Sequence, residues 1–313
     1  MQYRCLGRTG IDVSVVAFGA GPVPELMTDD GKRDQHVATV RRAIELGINW
    51  FDTAATYGAG RSEQNLGLAL RELDAKGQVH VATKVRIPED QLHDIRGFVL
   101  RSCESSLQRL GREHVSLLQL HNSVTTQRGD EPTSIAPRDV LGSAGVLEAM
   151  HELQRNGHVC HLGLTGLGNT DSLREIMASG QFDTVQTPYN MLNPSAGEPM
   201  PLDFNETNYG NQFAACQQQQ MGVFAIRVFA GGALVGNPPS EHTKKTPFFP
   251  LALYQRDQRR VAEIQKGLAR EQSLSELALQ FALRHPIVSA AIIGFSSPQQ
   301  VEQVACYVGQ PTG

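Results

Sequence analysis

Eight short runs rich in β-branched and small apolar residues, each followed by a longer stretch with helical spacing, most restrict how this 313-residue chain can fold. The runs cover residues 15–19, 49–52, 80–83, 115–119, 160–165, 184–187, 223–228 and 290–294. Apolar residues recur at three- and four-residue spacing at 37–46, 63–73, 95–110, 146–156, 173–178, 211–220, 257–272 and 297–306, the mark of helices with one buried face. Gly47 and Gly157 follow two of these segments, where a helix end favours a left-handed residue. A further helix is expected at 275–284, stopped by Pro286. Such alternation calls for a mostly parallel sheet covered by helices. Eight repeats favour closure over an open two-domain sheet. The expected class is α/β: a single (β/α)8 TIM barrel domain over residues 1–313, opened by a β-hairpin at 2–15 that turns at Gly7-Arg8-Thr9-Gly10.

Two stretches, 122–145 after the fourth strand and 231–254 after the seventh, read as long irregular loops. Loops of that length are uncommon unless they serve a purpose, such as closing over a ligand. Both follow strands, which puts them at the end of a barrel where such folds keep their sites.

Charge and cysteine usage narrow the partners. A net charge of −4 gives no basic surface for nucleic acid or an anionic membrane. A few local arginines and helix N-termini would still suffice for one anionic ligand. Five widely spaced cysteines, odd in number and without a C-x-x-C, read as reduced thiols of a cytoplasmic protein. No signal-peptide stretch opens the chain, and no apolar run is long enough to cross a bilayer. The short His158-Val159-Cys160-His161 run lacks a second ligand pair, so a structural role is expected and no metal. The spacing leaves the oligomeric state open.

Asp52, Lys84 and His121 stand at the ends of the second, third and fourth strands, and Tyr57 follows five residues after Asp52. In a barrel these ends converge on one mouth. A phenol with its ordinary pKa of about 10 is a poor acid at neutral pH, and a neighbouring ammonium favours the ionised form. Lys84 can supply that charge, Asp52 can hold Lys84 protonated, and His121 can hydrogen-bond a substrate oxygen. The set would protonate a carbonyl oxygen as hydride reaches the carbon, or run the reverse. Because no side chain donates hydride, a nicotinamide or flavin is required. Taken singly, each residue also has an ordinary structural explanation: a capping Asp, a loop-anchoring Tyr, a solvated Lys, a rim His.

The surrounding sequence separates these readings. Asn49-Trp50-Phe51-Asp52-Thr53-Ala54-Ala55-Thr56-Tyr57-Gly58, with Ser62-Glu63 and Leu66-Gly67 after it, resembles the signature of the aldo-keto reductase family. The resemblance continues through Ala82-Thr83-Lys84, Leu117-Leu118-Gln119-Leu120-His121, Gly163-Leu164-Thr165, Val185-Gln186-Thr187-Pro188-Tyr189-Asn190 and Ile293-Gly294-Phe295-Ser296, in order along nearly the whole chain. It implies a barrel that interconverts aldehydes or ketones with alcohols using NADP, or less often NAD. Tyr57 would be the proton donor, Lys84 and Asp52 the pair that tunes it, and His121 the substrate orienter. The cofactor-side positions it implies are Thr165, Gln186, Gly294, Ser296 and Gln300. Two of these regions depart from the family pattern. Relatives carry a Ser-Asn pair where this chain has Thr165-Gly166, and an aromatic residue followed by Ser where it has Ile226-Arg227. Arg227 is accordingly read as a contact for the cofactor pyrophosphate, or as the partner of a mouth carboxylate. Residues 295–303 carry no cation for a 2′-phosphate. That leaves Lys244 and Lys245 of the seventh loop as candidates to cover it.

The expected function is an NAD(P)H-dependent oxidoreductase acting on a small carbonyl compound or sugar. The opening Leu6-Gly7-Arg8-Thr9-Gly10 with Val13-Ser14 resembles relatives acting on sugars, so an NAD-dependent aldose dehydrogenase running oxidatively is the alternative. Two others are a regulatory relative of potassium-channel beta subunits that binds cofactor without turnover, and a Schiff-base enzyme using Lys84.

Overall fold

The computed structural model describes residues 1–268 and 273–309. Two antiparallel strands, β1 (Tyr3–Cys5) and β2 (Asp12–Ser14), form the hairpin, with Tyr3 opposite Ser14 and Cys5 opposite Asp12. Eight parallel strands follow: β3 (Val16–Gly19), β4 (Trp50–Asp52), β5 (His80–Val85), β6 (Val115–Leu120), β7 (Val159–Thr165), β8 (Thr184–Pro188), β9 (Gly222–Ile226) and β10 (Val288–Gly294). They close in chain order, β10 pairing with both β9 and β3. This is the (β/α)8 barrel with an N-terminal hairpin that the alternation demands.

The helices are α1 (Arg33–Glu45), α2 (Arg61–Glu72), α3 (Ile95–Leu110), α4 (Pro137–Leu141), α5 (Val146–Arg155), α6 (Thr170–Ala178), α7 (Gln212–Gln218), α8 (Glu241–Lys245), α9 (Leu251–Gly267), α10 (Leu274–Arg284) and α11 (Pro298–Gly309). Gly47 and Gly157 take φ of 87° and 74° just past α1 and α5, a region that costs a Cβ-bearing residue more than glycine. Side-chain caps satisfy the first N–H groups elsewhere: Asp94 accepts from Gly97, Asn169 from Asp171 and Ser172, and Ser273 from Glu276.

Several boundaries and both long loops differ from the sequence expectation. β9 stops at Ile226, two residues short of 228, because Arg227 turns to φ 55° and leaves the extended region. α9 starts at Leu251, six residues before 257, and the expected end of that helix at 269–272 lies outside the described residues. The 122–145 stretch contains α4 and is tied back to the barrel by Val124 bridging Ile135 and Gly168. The 231–254 stretch is built from a 3-10 turn (Ala230–Val235), α8 and the start of α9. Outside these short elements both stretches are turns and coil, as expected, and the elements are too short to show a periodicity. α11 continues three residues past 306, to Gly309.

Period-two alternation divides the barrel interior into two levels. Ala17, Trp50, Ala82, Leu117, Phe224 and Ala290 pack on one another inside the barrel, with Trp50 and Phe224 rings 4.9 Å apart, and Leu6 and Val13 of the hairpin join them as a floor. The alternate residues, such as Phe51, Val81 and Leu118, pack outward under the helices. Two residues further along each strand, the same inner face carries Asp52, Lys84, Gln119, Thr165 and Gln186, all buried. Hydrophobic packing therefore fills the closed end, and a polar layer occupies the C-terminal mouth.

Candidate active site

Lys84 is the hub of the polar layer. Its side chain is 1% exposed, and its Nζ donates to Asp52 Oδ1, to the Thr53 carbonyl at 2.8 Å and to Tyr57 Oη at 3.3 Å. An ammonium has three donors, and all three are taken. Asp52 accepts on its second oxygen from Gln186 Nε2. Burial alone would lower the Lys84 pKa, but Asp52 and Tyr57 more than offset it and the ammonium is held protonated. Burial pushes the Asp52 carboxyl up while Lys84 and Gln186 pull against it.

Tyr57 is delivered by a tight turn. β4 ends at Asp52, and the chain coils through a 3-10 segment (Tyr57–Gly60) in which Gly58, Ala59 and Gly60 all have positive φ before α2 begins. Buried contacts hold that turn from behind. Ser62 Oγ donates to the Ala20 carbonyl at 2.6 Å and pairs with Thr53 Oγ1 at 2.7 Å. Glu63, fully buried, accepts from Thr83 Oγ1 and pairs with Arg109 Nε at 2.6 Å. The Ser62-Glu63 pair is thus a brace for the turn that carries Tyr57.

His121 meets the Tyr57 ring edge-on, centroids 5.5 Å apart at 84°, and its Nδ1 lies 3.4 Å from Thr56 Oγ1. Burial, with the charges of Arg86 and Lys84 beside it, holds its pKa well below the usual histidine value. At neutral pH the imidazole is uncharged, and can donate from one nitrogen while accepting at the other. Asn122 next to it is engaged structurally, donating to the Ile87 and Thr133 carbonyls and accepting from the Ile87 N–H.

The candidates on the far side of the mouth fall into two groups. Thr165 and Gln186 are paired neighbours on β7 and β8, and Thr165 Oγ1 accepts from Gln119 Nε2 at 3.0 Å while donating to the Leu120 carbonyl. Gly294, Ser296 and Gln300 lie at the end of β10 and the start of α11, where the Ser296 N–H donates to Gln300 Oε1 at 2.8 Å. A Cβ on Gly294 would fall 2.2 Å from the Val23 carbonyl oxygen, so only glycine fits there. Arg227 makes no ion pair among the described residues. Its guanidinium stacks over Phe249, 3.9 Å from the ring centroid, and burial lowers its pKa against the pull of Tyr209 and Asp257. The mouth-carboxylate pairing is therefore not what the structure shows. Lys244 and Lys245 lie on α8 and pair with Glu241 of their own helix.

A family model described as the aldo/keto reductase family matches residues 20–309. The chain belongs to that family. Among curated relatives, an L-galactose dehydrogenase of Arabidopsis thaliana is 28% identical over 97% of this chain and 86% of its own length. A holo aldo-keto reductase from Bacillus halodurans superposes with a TM-score of 0.73 at 24% identity, over 99% of this chain and 92% of that one. An aldo/keto reductase from Klebsiella pneumoniae, solved with NADP and acetate, has a TM-score of 0.67 at 22% identity, covering 98% and 90%.

Within an aldo-keto reductase barrel, three buried atoms bear on whether a nicotinamide suits this mouth. Gln119 Oε1, Gln212 Oε1 and Thr187 Oγ1 have no hydrogen-bond partner among the described residues. Two are amide acceptors, and a carboxamide brings N–H donors, so the donor set fits such a group. Gln212 was not singled out from the sequence. It reaches from α7 over Gly166, donating to the Gly166 carbonyl at 3.1 Å, and a Cβ on Gly166 would lie 2.2 Å from its Oε1. Gln212 thus places a side-chain amide beside the Thr165-Gly166 pair. The bare glycine at 166 was the signal, since something must fill the space it leaves.

Proposed function

We propose that this aldo-keto reductase reduces an aldehyde or ketone to the alcohol with a nicotinamide dinucleotide, NADP in the first instance, and that Tyr57 is its general acid. The observation that carries the reading is the contact of one buried ammonium with Tyr57 Oη and the Asp52 carboxylate together. When bound, the reduced nicotinamide supplies the hydride. The phenol of Tyr57 gives its proton to the carbonyl oxygen, and Lys84 stabilises the phenolate left behind. Neutral His121, set against the Tyr57 ring, donates to the same oxygen and fixes the face of the carbonyl presented to the cofactor. Thr165, Gln119, Gln186 and Gln212 would hold the carboxamide, Gly294, Ser296 and Gln300 the adenosine end, and Arg227 the pyrophosphate. Arg227→Ala should weaken cofactor binding by about tenfold or more; unchanged affinity would remove it from this set.

A sugar substrate taken in the oxidative direction with NAD is the second reading. It is favoured by the similarity to an L-galactose dehydrogenase and by the absence of Lys and Arg from residues 295–303. One experiment separates the two: turnover followed by absorbance of the reduced nicotinamide, with NADPH and NADH in parallel, across aldehydes, ketones and sugars, and with NADP and NAD across sugars. No turnover with any of them would overturn both.

A further inference from the structure

Arg86 follows β5 two residues after Lys84, one step nearer the mouth. Its guanidinium lies over the Phe248 ring, 4.7 Å from the centroid. Its Nε is buried and has no hydrogen-bond partner among the described residues. The charged and titratable groups around it come from four elements: Lys84 beside it on β5, Tyr57 from the catalytic turn, His121 after β6, and His242 on α8. None of these is a carboxylate. Glu25 acts on His242, and no carboxylate among the described residues forms an ion pair with Arg86. The charged pair beside it is answered, Lys84 by three acceptors and Asp52 by two donors.

A buried cationic N–H left without an acceptor is costly, and native structures rarely carry that cost without a reason. The Phe248 ring packs against the guanidinium, and a guanidinium so placed can offer Nε and one Nη side by side to two oxygens of one group. Lys84 cannot answer such a group, since its donors are all used.

We propose that Arg86 is a specificity-determining residue that receives an oxyanion, carboxylate or phosphate, carried by the substrate. The preferred substrates are then aldehydes or ketones bearing such a group, or the matching alcohols, with the carbonyl at Tyr57 and the anion at Arg86. This rests on the carbonyl-reductase reading above and narrows it.

The test uses two matched pairs: 4-oxobutanoate against butanal, and glyceraldehyde 3-phosphate against glyceraldehyde. The wild type is expected to prefer the anionic member of at least one pair by about tenfold or more in kcat/KM, mainly through KM, and the favoured pair tells carboxylate from phosphate. R86Q should collapse that ratio toward one. R86K, which keeps the charge and loses the fork, should fall between, and it serves if R86Q fails to fold. Calorimetric titration of the cofactor-loaded protein with glutarate and with glycerol 3-phosphate gives a readout free of turnover, with glycerol as the neutral control. If no carbonyl is reduced but one of these anions binds in an Arg86-dependent way, the reductase reading fails and the anion site stands. A wild type without anionic preference, or a preference that survives both variants, overturns the proposal.

Discussion

Gln186 donates its side-chain amide to the second oxygen of Asp52, and the two stand on β8 and β4, four strands apart in a closed ring of eight. The hydrogen bond therefore spans the lumen. It joins the wall that carries the proposed catalytic set to the wall proposed to hold the cofactor. A hydrogen bond to a buried charged group contributes about 1.5–3 kcal/mol. Gln186→Leu should lower the urea-unfolding free energy of the cofactor-free protein by about that much, and should weaken cofactor binding as well. An unchanged unfolding midpoint would show that the clasp carries no stability.

Tyr57→Phe removes one oxygen from a ring that is held by packing as much as by hydrogen bonding. The edge contact with His121 and the surrounding turn remain. A positioned general acid contributes about 10²–10⁴ in rate. The variant should lose that factor in kcat while cofactor affinity, read by fluorescence of the reduced nicotinamide, stays within about twofold. Full turnover by the phenylalanine variant would eliminate Tyr57 as the acid.

The convergence of Asp52, Tyr57, Lys84 and His121, the proposed catalytic set, was legible because they lie within continuous motifs on consecutive strands. Asp52 and Tyr57 are five residues apart, and Lys84 and His121 are each at a strand end, where the barrel dictates that they converge. The fold was legible for the same reason: period-two and helical spacing are properties of short windows. What escaped depends on contacts far apart in sequence. Gln186 reaching Asp52 spans 134 positions, and Gln212 reaching Gly166 spans 46. No window holds both partners. The seventh loop escaped because α8 is five residues long, capped by Ser240, and shows too few turns for any periodicity. Arg86 does not stand out in the sequence, since an arginine after a strand is usually solvated; its place at the mouth over Phe248, with a buried Nε that meets no partner among the described residues, appears only in three dimensions.

His121 makes stability depend on pH with a definite sign. Burial and the cations Arg86 and Lys84 depress its folded pKa well below the unfolded value of about 6.5. Above that pH both states are neutral, and the group contributes no slope. As pH falls through about 6.5 the unfolded chain takes up a proton that the native site refuses, so stability is lost. Between about pH 7.5 and about pH 5.5 this one group should cost up to about 1.4 kcal/mol. His80, His242 and His285 are depressed by burial too and add losses of the same sign. His121→Gln should therefore flatten the decline without abolishing it, as measured by urea midpoints at the two pH values. A variant whose decline matches the wild type would mean that His121 is protonated in the native state.

Gly166 and Gln212 offer the sharpest test of the proposed carboxamide site. A Cβ at 166 would fall 2.2 Å from Gln212 Oε1 and 3.1 Å from Thr187 Cβ, in a place where both neighbours are buried. Gly166→Ala should therefore destabilise by about 1–3 kcal/mol through overpacking. Gln212→Ala opens that space at the expense of the bond to the Gly166 carbonyl. The two changes share one volume, so the double variant should be more stable than the sum of the singles requires. Cofactor affinity carries the functional half of the argument. Gln212→Ala alone should weaken binding of the reduced nicotinamide, since the buried amide acceptor over Gly166 is then gone. Adding Gly166→Asn to Gln212→Ala returns an amide to the mouth from β7's side and should recover part of that affinity. Wild-type affinity in Gln212→Ala would show that the glutamine only fills space.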